Sequence, residues 1–204
     1  MALETDLADL SKQPRDLPLL ATKETCTGNT YIVTGANVGL GFEAAQHLVN
    51  LGAATVILAV RNLAAGDAAR AKIEESTGRS GVAKVWHLDM SSYDSVQTFA
   101  QKASTDLDRI DALIENAGVA NSYSGKGNLS EYHLPELTIN VYSTILLALL
   151  IMPKLRDVAQ QYGTTPHIAI VSSTAWIMNP LPIEKVRKDP LGKLEADQSL
   201  QPAV

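Results

Sequence analysis

The sequence predicts an α/β protein built on a doubly wound parallel sheet of five strands in the order 3-2-1-4-5. Three observations lead to this prediction. Short apolar and β-branched runs alternate with longer amphipathic runs, a glycine-rich turn joins the first such pair, and polar residues follow the predicted strands. Continuous apolar strands separated by helices indicate a parallel sheet that is covered on both faces.

The elements follow from these runs in chain order. The strands are predicted at 30–34, 55–60, 83–88, 112–114 and 167–171. Three helices are predicted at 39–51, 63–76 and 134–162. A fourth, between the last two of these, begins at a cap formed by Ser91 or Ser92 and ends at residue 106. Asn62 is a favourable N-cap for the second of these helices, and Gly78 can end it.

The two ends of the chain have no such pattern. Residues 1–28 contain Pro14 and Pro18 and show no clear period, so we expect an arm over the surface of one domain formed by residues 29–204. Residues 174–204 contain further prolines and a mixed run of charges. We expect them to be largely irregular, with one short helix at 183–188 and no sixth strand.

Composition excludes several classes of function. A net charge of −5 argues against nucleic acid or an acidic membrane as the main partner. The apolar stretch 141–152 is interrupted by polar residues and is too short to span a bilayer. Residues 1–15 carry acids and no apolar core, and Cys26 is the only cysteine, so we expect a cytoplasmic protein without disulfides. The four histidines lack metal-ligand spacing, so no metal site is expected.

The turn Thr34-Gly35-Ala36-Asn37-Val38-Gly39-Leu40-Gly41 lies between the first predicted strand and the helix that follows it. Gly35 allows a tight turn, and Gly39 and Gly41 allow the backbone to approach a bound group closely. The free N–H groups and the dipole at the start of the helix favour a pyrophosphate. A strand-to-helix turn that binds nothing is the alternative interpretation.

Arg61 directly follows the second predicted strand, after Val60. An acidic side chain here would bind the ribose 2′-hydroxyl of an adenosine and repel a 2′-phosphate, whereas arginine suits the phosphate. This predicts NADP(H) rather than NAD(H) as the ligand. A solvated arginine at the end of a strand remains the alternative.

More polar or small residues follow the third, fourth and fifth strands. They are Asp89-Met90, Asn116-Ala117-Gly118 and Ser172-Ser173. Asn140 lies earlier in the chain than the two serines, on the long predicted helix. The carboxyl edge of an open parallel sheet is where ligands bind. Taken in order, these features resemble the short-chain dehydrogenase/reductase family, and within it the retinol-dehydrogenase-like reductases common in fungi, over residues 29 to about 190.

The resemblance implies a Rossmann-type fold and an NADP(H)-dependent oxidoreductase that acts on a carbonyl or alcohol. It implies that Asp89 binds the adenine, and a helix cap is the alternative. It also implies that Gly118 lets the backbone pass under the cofactor and that Asn116 ties neighbouring strands together, which is partly a structural role. Where the family often has a second asparagine, this chain has Glu115.

The resemblance assigns catalytic roles to Ser173, which would orient the substrate carbonyl, and to Asn140. The amide of Asn140 would kink the long helix and hold a water in a proton relay. An amide that merely satisfies a helix kink is the alternative, because asparagine is unfavourable inside helices.

The family's proton donor is a tyrosine followed four positions later by a lysine, and the sequence contains no tyrosine after Tyr162. We therefore expect a chain truncated before this segment, with impaired turnover and an incomplete family dimer interface. The expected partners are NADP(H) and a small-molecule substrate. The alternatives are a non-redox protein that keeps the fold, as a nucleotide-binding regulator or a repurposed biosynthetic catalyst, and a truncated gene product.

Overall fold

Five parallel strands form the centre of the structure, a computed structural model that describes residues 18, 20–120, 135–172 and 188–189. The strands are β1 (Thr30–Thr34), β2 (Thr55–Val60), β3 (Ala83–His87), β4 (Ala112–Glu115) and β5 (His167–Ile170). Their order in the sheet is β3-β2-β1-β4-β5, and each neighbouring pair is parallel. The predicted class, strand order and Rossmann-type winding are confirmed.

Six α-helices occur among the described residues: α1 (Lys23–Cys26), α2 (Gly39–Asn50), α3 (Leu63–Thr77), α4 (Tyr93–Asp106), α5 (Pro135–Leu137) and α6 (Thr144–Tyr162). A π-helical segment, Thr138–Ser143, joins α5 to α6, where the sequence predicts one continuous helix. Helix α1 lies within the predicted arm. The short helix predicted at 183–188 lies outside the described residues, except for residue 188.

Local signals set the helix boundaries much as the sequence predicts. Asn62 Oδ1 accepts a hydrogen bond from Ala65 N at 3.0 Å, and Gly78 ends α3 in the left-handed conformation. Ser92, rather than Ser91, is the N-cap of α4. Strand β4 extends one residue beyond its predicted end to include Glu115, whose backbone carbonyl accepts from Val171 N at 2.9 Å.

The sheet separates two apolar cores, which is why its central strands are apolar on both faces. Ile32 pairs in register with Ile57 and Leu113, and all three side chains contact the core formed with α4 and α6. The alternate residues Val33 and Leu58 contact the core formed with α2 and α3. In-register pairing places the carboxyl ends of the strands at one edge.

The opposite edge of the sheet is closed by polar contacts. Asp111 Oδ2 accepts hydrogen bonds from Thr30 N and from Arg109 Nε, both at 2.8 Å. The guanidinium of Arg109 also lies 4.6 Å from the centre of the Tyr162 ring. The hydrogen bond to the Asp111 carboxylate raises the pKa of Arg109, so the guanidinium stays charged.

One described helical stretch, Pro135–Tyr162, is long and apolar enough to cross a membrane by length and composition alone. Leu147 and Ile151 of this stretch are fully buried in the core beneath the sheet. Core helices of sheet domains pass the same test of length and composition, so we interpret it as a core helix.

Candidate functional site

A cavity of about 290 Å³ lies at the carboxyl edge of the sheet. It is lined by four chain segments: the turn after β1, the end of β2 with Arg61, the segment after β3, and the loop after β4 together with Ile139. The lining residues are Gly35, Asn37, Val38, Ala59, Val60, Arg61, Leu88, Asp89, Met90, Asn116, Ala117, Gly118, Val119 and Ile139. The structure therefore brings Gly35, Asn37 and Val38 of the predicted turn together with predicted residues at three further strand ends. Gly39 and Gly41 of the turn do not line this cavity.

Thr34 joins the turn after β1 to the loop after β4. Its hydroxyl oxygen accepts hydrogen bonds from Asn116 N at 3.0 Å and Ala117 N at 2.9 Å. In return, Asn116 Nδ2 donates to the backbone carbonyl of Thr34 at 3.1 Å. Thr34 is completely buried. It supports the cavity from beneath rather than lining it, which the sequence pattern did not distinguish.

Gly41 permits close packing beneath the turn. A Cβ atom at this position would lie 2.5 Å from Asn116 Nδ2 and 2.7 Å from the Gly35 carbonyl oxygen. Both distances are too short for any side chain to be accommodated without movement of the backbone. The third glycine therefore allows α2 to start directly against the loop after β4.

The N-terminus of α2 is open to a bound anion. Its N-cap, Val38, makes no side-chain hydrogen bond, and the first turn contains no acidic residue. Gly39 has a φ of +58°, and a Cβ there would meet no atom within 4 Å. The first N–H groups of α2 are thus left without a capping side chain, in the geometry that binds phosphate groups. Leu40, by contrast, is 74% exposed and does not line the cavity.

Arg61 and Asp89 lie at the outer part of the cavity. Arg61 is exposed and makes no ion pair with the described part of the chain. Asp89 Oδ1 accepts hydrogen bonds from Ser91 N at 2.9 Å and Ser91 Oγ at 2.6 Å. The alternative that Asp89 caps α4 is wrong, because Ser92 fills that position.

Asn140 lies on the π-helical segment and holds the loop after β4. Its Nδ2 donates to the Val119 carbonyl oxygen, and its Oδ1 accepts from Val119 N, both at 2.8 Å. A Cβ on Gly118 would lie 3.3 Å from the same Oδ1. The catalytic role predicted for Asn140 remains a prediction. Ser173 lies outside the described residues.

The sequence analysis did not single out Ala59, Leu88, Val119 or Ile139 as site residues, although all four line the cavity. Ala59 and Leu88 lie near the carboxyl ends of β2 and β3. Leu88 directly precedes Asp89, whereas Ala59 lies between the apolar residues Leu58 and Val60 and gave no signal of its own. Ile139 lies on the π-helical segment, and the one sequence signal for that segment was the helix kink expected at Asn140.

Glu115 is the buried acid of this region, with 2% of its surface exposed. Burial raises its pKa to about 8, against a smaller opposing effect of the Thr144 hydroxyl. The carboxyl group therefore differs from an ordinary glutamate in being largely uncharged at neutral pH.

The fold and the site define an α/β protein whose glycine-rich turn leads to an uncapped helix N-terminus at the carboxyl edge of its sheet. The family model for short chain dehydrogenases matches residues 29–181. The chain belongs to this family.

Two relatives illustrate the match. The short chain dehydrogenase/reductase dmxR8 of Cryptosporiopsis sp. (strain 8999) is 48% identical over 148 residues, covering 72% of this chain and 45% of dmxR8. The short-chain dehydrogenase anuD of Penicillium roqueforti (strain FM164) is 37% identical over 194 residues, covering 85% of this chain and 50% of anuD. The chain thus spans about half the length of the curated relatives it matches.

Solved structures share the fold. A short chain dehydrogenase from Escherichia coli CFT073, complexed with NADPH, has a TM-score of 0.54 and 28% identity, covering 66% of this chain and 56% of the other. An NADH-dependent reductase, A1-R′, complexed with NAD, has a TM-score of 0.63, covering 76% of this chain and 63% of the other. Its identity of 24% supports similarity of fold alone.

Proposed function

We propose that this chain binds NADP(H) across the carboxyl edge of its sheet and serves an oxidoreductase reaction on a carbonyl or alcohol substrate. The observation that carries the proposal is the single cavity shared by the turn after β1, Arg61, Asp89 and the Asn116–Gly118 loop. Membership of the short chain dehydrogenase family supports it, since these enzymes use nicotinamide cofactors.

The residues present fit a dinucleotide. The close approach at Gly41 and the uncapped start of α2 leave N–H groups for a pyrophosphate. Asp89 and Met90 would lie beside the adenine, and the Asn116–Gly118 backbone would form the floor toward the nicotinamide. When bound, the nicotinamide supplies or accepts the hydride.

Arg61 favours NADP(H) over NAD(H). It lies on the cavity, it is exposed, and no described carboxylate neutralises it. A guanidinium can make bidentate, charge-assisted hydrogen bonds to a 2′-phosphate, which an NAD(H) ribose lacks. The structure of the Escherichia coli CFT073 relative contains NADPH, which supports the same preference.

The test is calorimetric titration of the 204-residue chain with NADPH and NADH, before and after Arg61→Ala. Hydrogen bonds to charged groups contribute about 1.5–3 kcal/mol, so NADPH affinity should fall about tenfold or more while NADH affinity changes little. Arg70→Ala is the matched control, because Arg70 is paired on α3 with Asp67 and does not line the cavity. Equal weakening of both nucleotides would show that Arg61 does not read the 2′-phosphate.

A second candidate is nucleotide binding without redox turnover. These 204 residues contain no tyrosine beyond Tyr162, so the chain by itself lacks the tyrosine and lysine pair expected of the family. We expect NADPH to bind without measurable oxidation when aldehydes, ketones and quinones are supplied. Consumption at about 1–10³ s⁻¹, the usual range for enzymes, would exclude this candidate.

A further inference from the structure

Glu115 is a buried acid for which the proposed function has no use. It ends β4, two residues after Leu113, so the two side chains lie on the same face of the sheet, toward α4 and α6. Neither carboxyl oxygen of Glu115 has a hydrogen-bond partner within the part of the chain that the structure describes. An ionised carboxylate without partners is costly in such a place, whereas a neutral acid is tolerated.

The polar side chain that acts on Glu115 is that of Thr144, which is itself buried. Thr144 Oγ1 donates its proton to the Ile139 carbonyl oxygen at 3.0 Å. That bond spans five residues and stabilises the π-helical segment from within. The Thr144 hydroxyl therefore acts on both the Ile139 carbonyl and the Glu115 carboxyl, and its effect on the Glu115 pKa opposes the larger effect of burial.

The same π-helical segment carries Asn140 directly after Ile139. Asn140 makes two hydrogen bonds of 2.8 Å to the backbone of Val119, a residue that lines the cavity. A continuous path therefore leads from the Glu115 carboxyl through Thr144 and the π-helical segment to the wall of the candidate site.

The surroundings of Glu115 offer no described cation as an ion-pair partner. The π-helical segment carries one titratable side chain, Tyr142, and β5 carries His167 at its far end. Helix α4 carries Tyr93, Asp94 and the ion pair of Lys102 with Asp106, and α6 carries Lys154, Arg156, Asp157 and Tyr162. The influences on the pKa of Glu115 are burial and the Thr144 hydroxyl. The charge on Glu115 is therefore set by burial and Thr144, and not by another charged side chain.

We propose that the buried carboxyl group of Glu115 makes it a positioning residue for Asn140. It acts through the Thr144 hydroxyl on the π-helical segment, which holds the Asn140 amide against Val119. Ionisation would place an unpaired charge beneath that segment. The segment must then shift to admit water, and the hydrogen bonds between Asn140 and Val119 weaken. The consequence for NADP(H) binding rests on the proposed function, whereas the coupling itself does not.

The coupling is tested by NMR on the isotopically labelled chain without nucleotide, between pH 6 and pH 9.5. The Val119 backbone amide and the Asn140 side-chain amide should shift together with a midpoint of about 8. Glu115→Gln, which keeps the shape of the neutral acid, should abolish both shifts. Thr144→Val should abolish the Val119 shift while the Glu115 carboxyl carbon still titrates. Glu75→Gln, an exposed acid on α3, is the control and should leave both shifts intact.

Val119 and Asn140 signals that stay flat while Glu115 titrates would overturn the proposal, as would a titration that persists in Glu115→Gln. If Glu115→Gln does not fold, the titration of the wild-type chain still tests the coupling. Equal midpoints for the Glu115 carboxyl carbon and the Val119 amide support the coupling, and separate midpoints contradict it. NADPH is then added at pH 7: coupled titration without NADPH binding would reject the proposed function and leave the positioning role standing.

Discussion

Asn116 Nδ2 donates a hydrogen bond of 3.1 Å to the backbone carbonyl oxygen of Thr34, joining the ends of two adjacent parallel strands. The same amide nitrogen lies where a Cβ on Gly41 would clash. Asn116 therefore fixes the distance between the glycine-rich turn and the loop after β4. The structural role that the resemblance implies for Asn116 is visible in this bond, and its role toward a nucleotide is a proposal.

Gly39→Val should abolish nucleotide binding, because the added methyl groups occupy the space in front of the first N–H groups of α2. The φ of +58° at Gly39 also makes valine strained there, so some loss of stability is expected. Gly163→Val is the matched control, since Gly163 has a φ of +62° and open space around it but lies at the C-terminus of α6 rather than at the N-terminus of α2. Thermal melts should fall similarly in both variants, and NADPH binding should disappear only in Gly39→Val. If Gly39→Val kept its affinity for NADPH, the N-terminus of α2 would not be the site that binds the pyrophosphate.

Thr34→Val should destabilise the chain by about 1–3 kcal/mol, because the N–H groups of Asn116 and Ala117 lose their acceptor. Thr34→Ser, which keeps the hydroxyl, should retain most of the stability. Thr55→Val, at the start of β2, controls for the general effect of valine in a strand. Urea unfolding measures all three. A Thr34→Val variant as stable as Thr55→Val would show that the hydroxyl does not hold the loop.

Glu115 should make the stability of the chain depend on pH. Its folded pKa of about 8 lies above the ordinary value of 4.5, so the native state binds more protons than the unfolded state between these two values. The free energy of unfolding should therefore fall as pH rises through this window, and the contribution is lost above about pH 8. Glu115→Gln should lack this slope, so its stability relative to wild type should increase with pH. Parallel stability curves for the two proteins would contradict the raised pKa.

The sequence predicted the sheet well because each strand is a short apolar run bounded by a turn or a cap. The limits of β1 and β2 agree with their predicted ranges, and Asn62 and Gly78 bound α3 as expected. The sequence predicted the site residues that directly follow the strands. Gly35, Arg61 and Asp89 do line one cavity.

The features that the sequence did not predict depend on contacts between segments that are distant in the chain. A π-helical segment and an α-helix share the same apolar spacing over one or two turns, so Ile139 gave no sign of reaching the cavity. The burial of Glu115 depends on β4 running one residue further and on α6 covering it, neither of which a local pattern reports. The support given by Thr34 depends on the pairing of β1 with β4.

The central claim, an NADP(H) site at the carboxyl edge of the sheet, is tested most directly by mapping amide chemical shifts while NADPH is added to the ¹⁵N-labelled chain. We expect saturable shifts at Gly35, Gly39, Arg61 and Gly118, with little change at Gly163 on the far end of α6. Shifts that do not saturate, or that cluster away from the turn and the Asn116–Gly118 loop, would contradict the account.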